Sequence, residues 1–107
     1  MLSRETLSPA FLNALNDHAP DGLAPFLSDD FKWVTHASDL DGLDRARTLE
    51  FIETSPVKDG VHESTIYESK DVLVGTHTAA VRDQPTRVLC VAKLRGDKVY
   101  EYHHARL

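Results

Sequence analysis

Histidine and tyrosine dominate the groups able to move protons in this chain: six His, at positions 18, 36, 62, 77, 103 and 104, and three Tyr among 107 residues. A neutral imidazole takes up or releases a proton near neutral pH, and a phenol hydroxyl polarises a carbonyl. Together they support enolisation or elimination of water without a cofactor. The densest group is Tyr100-Glu101-Tyr102-His103-His104. Side chains alternate along a strand, which predicts His104 on one face with Tyr100 and Tyr102, and His103 on the other with Val99 and Glu101. His104 is then the candidate general base or acid, and Tyr100 or Tyr102 the candidate carbonyl polariser. Their competing role is ordinary half-buried packing with satisfied polar tips. Adjacent strand histidines that point apart do not share a metal, and no His or Cys spacing matches a zinc site, so no metal is expected.

The remaining candidates are scattered. Trp33 offers a flat ring for stacking, and filling the core is its ordinary role. His36 lies just beyond the strand that carries Trp33, and His18 extends the apolar face of the first helix. His77 sits in Gly75-Thr76-His77-Thr78, where both faces of a strand would be similarly polar and its side is left open. The single cysteine, Cys90, lies in the apolar run Val88-Leu89-Cys90-Val91-Ala92, which excludes an internal disulfide and reads as a small buried thiol.

These side chains need elements to hold them. Ser8 is a capping residue, Pro9 suits a first helical position and Leu7 pairs with Leu12, which predicts a helix over Pro9 to His18 with Phe11, Ala14, Leu15 and His18 along one face. Asp21 to Leu27 reads as a short helix limited by Pro25. After the break at Asp29-Asp30, Phe31 to Thr35 reads as a strand, and His36 to Asp41 as a loop. Leu43, Ala46, Leu49 and Ile52 form the apolar stripe of a third helix, closed by Pro56 and Gly60. Four β-rich runs follow: Val61 to Glu68, Asp71 to Val81, Thr86 to Arg95 and Lys98 to Arg106. Arg82-Asp83-Gln84-Pro85 reads as a loop and Gly96-Asp97 as a two-residue hairpin. Short connections make the last strands antiparallel neighbours with the helices on one side of the sheet: an α+β domain spanning residues 1–107.

Composition agrees with a single soluble domain, 41% apolar and 27% charged. Burying about 65% of the unfolded surface stabilises a chain of this length without a staple. The formal charge of -5, with no basic stripe, argues against nucleic acid as a partner. No apolar window approaches a membrane span and no basic start leads an apolar stretch, so no membrane partner and a cytoplasmic location are expected.

The order of elements, the Asp29-Asp30-x-x-Trp33 segment and the Gly96-Asp97-Lys98-Val99 hairpin resemble the nuclear transport factor two-like superfamily, specifically its SnoaL-like domains, over nearly the whole chain. The resemblance implies a cystatin-like cone: a strongly curved, mostly antiparallel sheet wrapped around three N-terminal helices, an apolar pocket between them, and a homodimer formed through the sheet's outer face. The base position of the family's ketosteroid isomerases falls at Thr35 and their second acid near Leu89 to Val91, so neither carboxylate is present. The terminal aspartate of SnoaL-type cyclases is also missing, and the Asp-Arg-Asp set of the epoxide hydrolases has no counterpart beyond Arg82-Asp83. Scytalone dehydratase, on the same fold, uses a His and Tyr cavity, which these residues match in type. The expected protein therefore binds a small apolar molecule in a pocket lined by Trp33, Thr35, His36, Leu15, His18 and His77. It would act, if at all, as a cofactor-free isomerase, dehydratase or cyclase through His104 and Tyr102 or Tyr100. Its alternative is a non-catalytic dimeric interaction module whose pocket is filled by Phe11, Leu15 and Phe51.

Overall fold

In the computed structural model, residues 2–35, 42–55, 57–81 and 84–107 are described. Helix α1 runs Arg4–Asp17. Two single 3-10 turns, Pro20–Gly22 and Ala24–Phe26, lead into strand β1, Leu27–Thr35. The short strand β2, Leu43–Asp44, precedes helix α2, Arg45–Thr54. Strands β3 (Val57–Glu68), β4 (Val72–Val81), β5 (Gln84–Arg95) and β6 (Lys98–Arg106) complete the chain. The six strands form one sheet in the order β2-β1-β6-β5-β4-β3. Every pair is antiparallel except β1 with β6, which sets Trp33 beside Tyr102 and Thr35 beside His104. Helices on one face of a mainly antiparallel sheet make the fold α+β, as the β-rich second half and its short turns require.

Helix α1 starts five residues earlier than the expected Pro9. Ser3 caps it, its hydroxyl accepting from the Thr6 N–H at 3.2 Å. Leu2 and Leu7 are both buried in the core at the positions of a hydrophobic staple. Pro9 therefore falls inside the helix, where it removes one backbone donor near the first turn, and tertiary packing overrides the local preference. The consequence for the site is large, because the extra turn carries Arg4 into the interior.

In α2, Asp44 caps the helix by accepting from the Arg47 N–H at 2.8 Å. Thr48 and Ile52 are its buried residues, whereas Ala46 is exposed and Leu43 belongs to β2. The expected stripe is rotated because the helix begins after Leu43. Asp29 and Asp30 lie within β1 rather than breaking it. Both are exposed, and Asp30 is held by Ser28 at 2.6 Å and by Arg95 at 3.1 Å. Gly60 likewise lies within β3, where a Cβ would meet Thr78 Oγ1 at 1.9 Å, so the strands can approach there only with glycine. Gln84 and Pro85 open β5; Arg82 and Asp83 lie outside the described residues.

Inward positions on the central strands follow from burial and register. Val88, Cys90, Ala92 and Leu94 of β5 are buried, opposite His77, Gly75 and Leu73 of β4 on one side and His104, Tyr102 and Val99 of β6 on the other. Among the described residues no helix is long and apolar enough to cross a membrane. Ser3→Ala is expected to cost about 1 kcal/mol by urea denaturation, the usual loss for an N-cap. Ser8→Ala, within the helix, is expected to be neutral or slightly stabilising because alanine is the better helix former. The reverse order would return the helix start to Pro9.

Candidate functional site

A cavity of about 150 Å³ lies between α1 and the inner face of the sheet. Its wall is largely apolar, with Leu7, Phe11, Leu12, Leu73 and Ala92, and one part is polar, with Arg4, His77, Cys90 and Tyr102. Those four side chains come from α1, β4, β5 and β6, so the chain segments farthest apart in sequence meet there. The volume is close to that of a dry protein cavity able to hold benzene.

Arg4 is 5% exposed. Its Nη1 donates to the Cys90 sulfur, and its Nη2 donates to the Thr76 carbonyl at 3.3 Å. The Cys90 thiol can in turn donate to the Gly75 carbonyl at 3.3 Å. Burial pushes the thiol's pKa up, but the His77 hydrogen bond, the Arg4 charge, the His77 charge and a hydrogen bond from Tyr102 together outweigh it and bring the pKa below that of an ordinary thiol. The positive charge and hydrogen bonds therefore favour the thiolate relative to a thiol buried among apolar groups alone.

Around Trp33 the described side chains form an aromatic cluster. Phe11 stacks on Tyr102 with centroids 4.5 Å apart and meets Trp33 edge-on at 5.8 Å, and Trp33 meets Phe51 at 6.1 Å. Trp33 and Leu15 are buried in this aromatic core and do not line the cavity. The Trp33 indole donates to His104 Nδ1 at 2.9 Å. An indole N–H is only a donor, so a neutral His104 carries its proton on Nε2 and presents a donor there rather than a base.

Of the expected site residues, the structure brings Tyr102 and His77 to the cavity and settles His77 on the inner face. His104 shares that face but packs against Trp33 and Tyr102 at the aromatic end. Tyr100 is on the opposite face, correcting the simple alternation. Leu94 pairs with Val99 but Lys93 with Glu101, so one extra residue is inserted into β6. This bulge turns Val99 into the core and Tyr100 outward, where Arg95 covers its ring at 4.5 Å. His18 ends α1 in a left-handed conformation, φ 53°, exposed, with Nδ1 donating to the Ile52 carbonyl at 3.2 Å. The side chain of Thr35 and all of His36 lie outside the described residues.

Arg4 and Cys90 were not among the expected site residues. Cys90 carried a signal, since strand alternation from Val88 points it inward. Arg4 carried none, because its place depends on a helix start displaced by Ser3. On the outer face, His103 donates to Glu101, and with Lys93 3.5 Å away the Glu101 carboxyl is held below the usual carboxylate range.

Solved structures show the same architecture. A protein of unknown function from Cytophaga hutchinsonii, described as nuclear transport factor two-like, superposes with a TM-score of 0.80 at 13% identity, covering 100% of this chain and 92% of its own. The chain has the nuclear transport factor two-like, cystatin-type fold. A Catenulispora acidiphila protein with a ketosteroid isomerase-like fold, solved in complex with trimethylamine, gives a TM-score of 0.70 at 13% identity over 92% of this chain and 82% of its own. An LEH-like epoxide hydrolase from M. tuberculosis gives 0.66 at 15% identity over 98% and 84%. No protein-family model matches the chain, and no curated protein matches it by sequence.

Trp33→Phe tests the aromatic end. Losing the indole donor is expected to cost about 1 kcal/mol, and to release His104 into a mixture of tautomers visible in its ring ¹⁵N shifts. Unchanged ring shifts would show that the indole does not set the tautomer.

Proposed function

We propose that this protein binds a small, mostly apolar carbonyl compound in the cavity under α1 and carries out cofactor-free, isomerase-type proton transfer on it. The observation that carries the reading is the cavity itself: a benzene-sized apolar space with His77, Tyr102, Arg4 and Cys90 gathered at one part of its wall. Apolar pockets with a few convergent polar groups are the usual form of a small-molecule site. Tyr102 would hydrogen-bond the carbonyl oxygen and His77 would move the proton. The roles expected of His104 and Tyr100 pass to His77 and Tyr102, because among the described residues only these two of the expected acid-base groups line the cavity. Fold relatives described as ketosteroid isomerase-like and as an epoxide hydrolase support small-molecule chemistry in this architecture.

The partner on the outer face would be a second copy of the chain. A shallow groove of about 300 Å³ lies there along Leu89, Val91, Lys93, His103, His104 and Ala105, and half-buried Val74 continues it on β4. A contiguous half-buried apolar strip on a sheet face supports such a contact.

Cyclohexanone is a suitable probe for the cavity. It is expected to shift the backbone amide signals of Leu73, His77, Ala92 and Tyr102, and Leu12→Trp, which fills the space, is expected to abolish those shifts while the circular dichroism of the fold is kept. Shifts confined to Trp33 and His104, or none at all, would overturn the reading in favour of a non-catalytic interaction module. Sedimentation should give a dimer for the native chain and a monomer for Val91→Lys.

A further inference from the structure

We propose that Cys90 is the nucleophile of this cavity and that the compound taken there is an α,β-unsaturated carbonyl, to which the Cys90 sulfur adds reversibly. This deepens the proposed function, rests on it, and supplies a reaction that the His and Tyr pair does not need a cofactor to complete. The geometry behind it is a convergence of four elements. The Cys90 sulfur lies on the cavity wall and receives the Arg4 guanidinium from α1, with His77 on β4 and Tyr102 on β6 in hydrogen-bond contact with it. Among the described residues these are the charged and titratable side chains directed at the sulfur, and His104 stands opposite Cys90 in the β5–β6 register. A guanidinium favours the thiolate without competing as a base, since it stays protonated at any working pH. The downward shift of the thiol's pKa, despite its burial, agrees with this arrangement.

The step balances without an oxidant or reductant. The thiol proton passes to His77, leaving a thiolate and an imidazolium. The sulfur's electron pair forms a bond to the β-carbon of the ligand, and the carbon–carbon π pair moves through to the carbonyl oxygen, where the Tyr102 hydroxyl donates to the developing enolate. His77 then returns the proton to the α-carbon. The sum is addition of S–H across the double bond. In the adduct the former double bond is single and rotates, so that reversal releases either geometric isomer. A thiol could therefore run isomerisation in a pocket that lacks the expected carboxylates.

The test compares 2-cyclohexen-1-one with saturated cyclohexanone on the intact protein. Mass spectrometry is expected to show one cyclohexenone adduct, on Cys90, formed at least about tenfold faster than on glutathione at the same pH, with its rate-against-pH curve displaced to lower pH. Cys90→Ser should form no adduct. His77→Gln should slow labelling by on the order of tenfold, the effect of about one pKa unit on a thiol. If cyclohexanone shifts the cavity signals while cyclohexenone leaves Cys90 unmodified, or labels it no faster and along the same pH curve as glutathione, the nucleophile is overturned and the binding reading survives. If neither ketone reaches the cavity, both fall.

Discussion

A guanidinium group buried under the first helix is the constraint around which the rest of the interior is arranged. Removing an unpaired cation from water costs several kcal/mol, so Arg4 at 5% exposure must be supplied with acceptors. The Thr76 carbonyl of β4 and the Cys90 sulfur of β5 provide two of them, and the Arg4 backbone N–H is accepted by Glu68 of β3 at 2.9 Å. The same residue thus ties the start of α1 to three strands. Gly75 is part of this arrangement: a Cβ there would stand 2.6 Å from the Arg4 Cζ and 2.5 Å from the Ser64 carbonyl oxygen, so the guanidinium occupies the space that a side chain would fill.

The aromatic cluster and the cavity adjoin each other at Phe11 and Tyr102. Phe11, Trp33, Phe51 and Tyr102 pack edge-on and stacked, geometries that favour a filled core over a ligand space. Tyr102 belongs to both, its ring stacked on Phe11 and its hydroxyl turned to Cys90. A ligand in the cavity would therefore touch a phenol whose ring is already fixed, which preorganises the hydroxyl.

The β-rich second half, its hairpins and the α+β layering were legible because strand alternation and turn residues are local signals. The alternation of Val88, Cys90, Ala92 and Leu94 reads directly as one buried face. Two non-local effects escaped. The inserted residue in β6 reverses the face of Tyr100, and nothing in Lys98-Val99-Tyr100-Glu101 announces it, since a bulge is set by pairing with the neighbouring strand. The early start of α1 escaped for a different reason: Ser8-Pro9 is a good local start, and only burial of Leu2, Leu7 and Arg4 against the sheet makes Ser3 the better one. Arg4 was invisible as a site residue for the same cause. Fold class thus depends on patterns that survive such shifts, while the site depends on single residues that do not.

The architecture keeps its interior constant while leaving open which side chains occupy it. The sheet and α1 define an interior and a set of inward positions, and the chemistry depends on which side chains occupy them. Near the middle of β5 this chain places a thiol, Cys90, on the buried face. An aspartate buried beside Arg4 would form a closed ion pair, its charge cancelled and unavailable to a substrate. A sulfur in the same place accepts from Arg4 while lying on the cavity wall, and its hydrogen bonds are weak and its electrons polarisable. The buried arginine and the cysteine are therefore coupled: the sulfur is one of the acceptors the cation needs, and the nearby positive charge acts to lower the thiol's pKa.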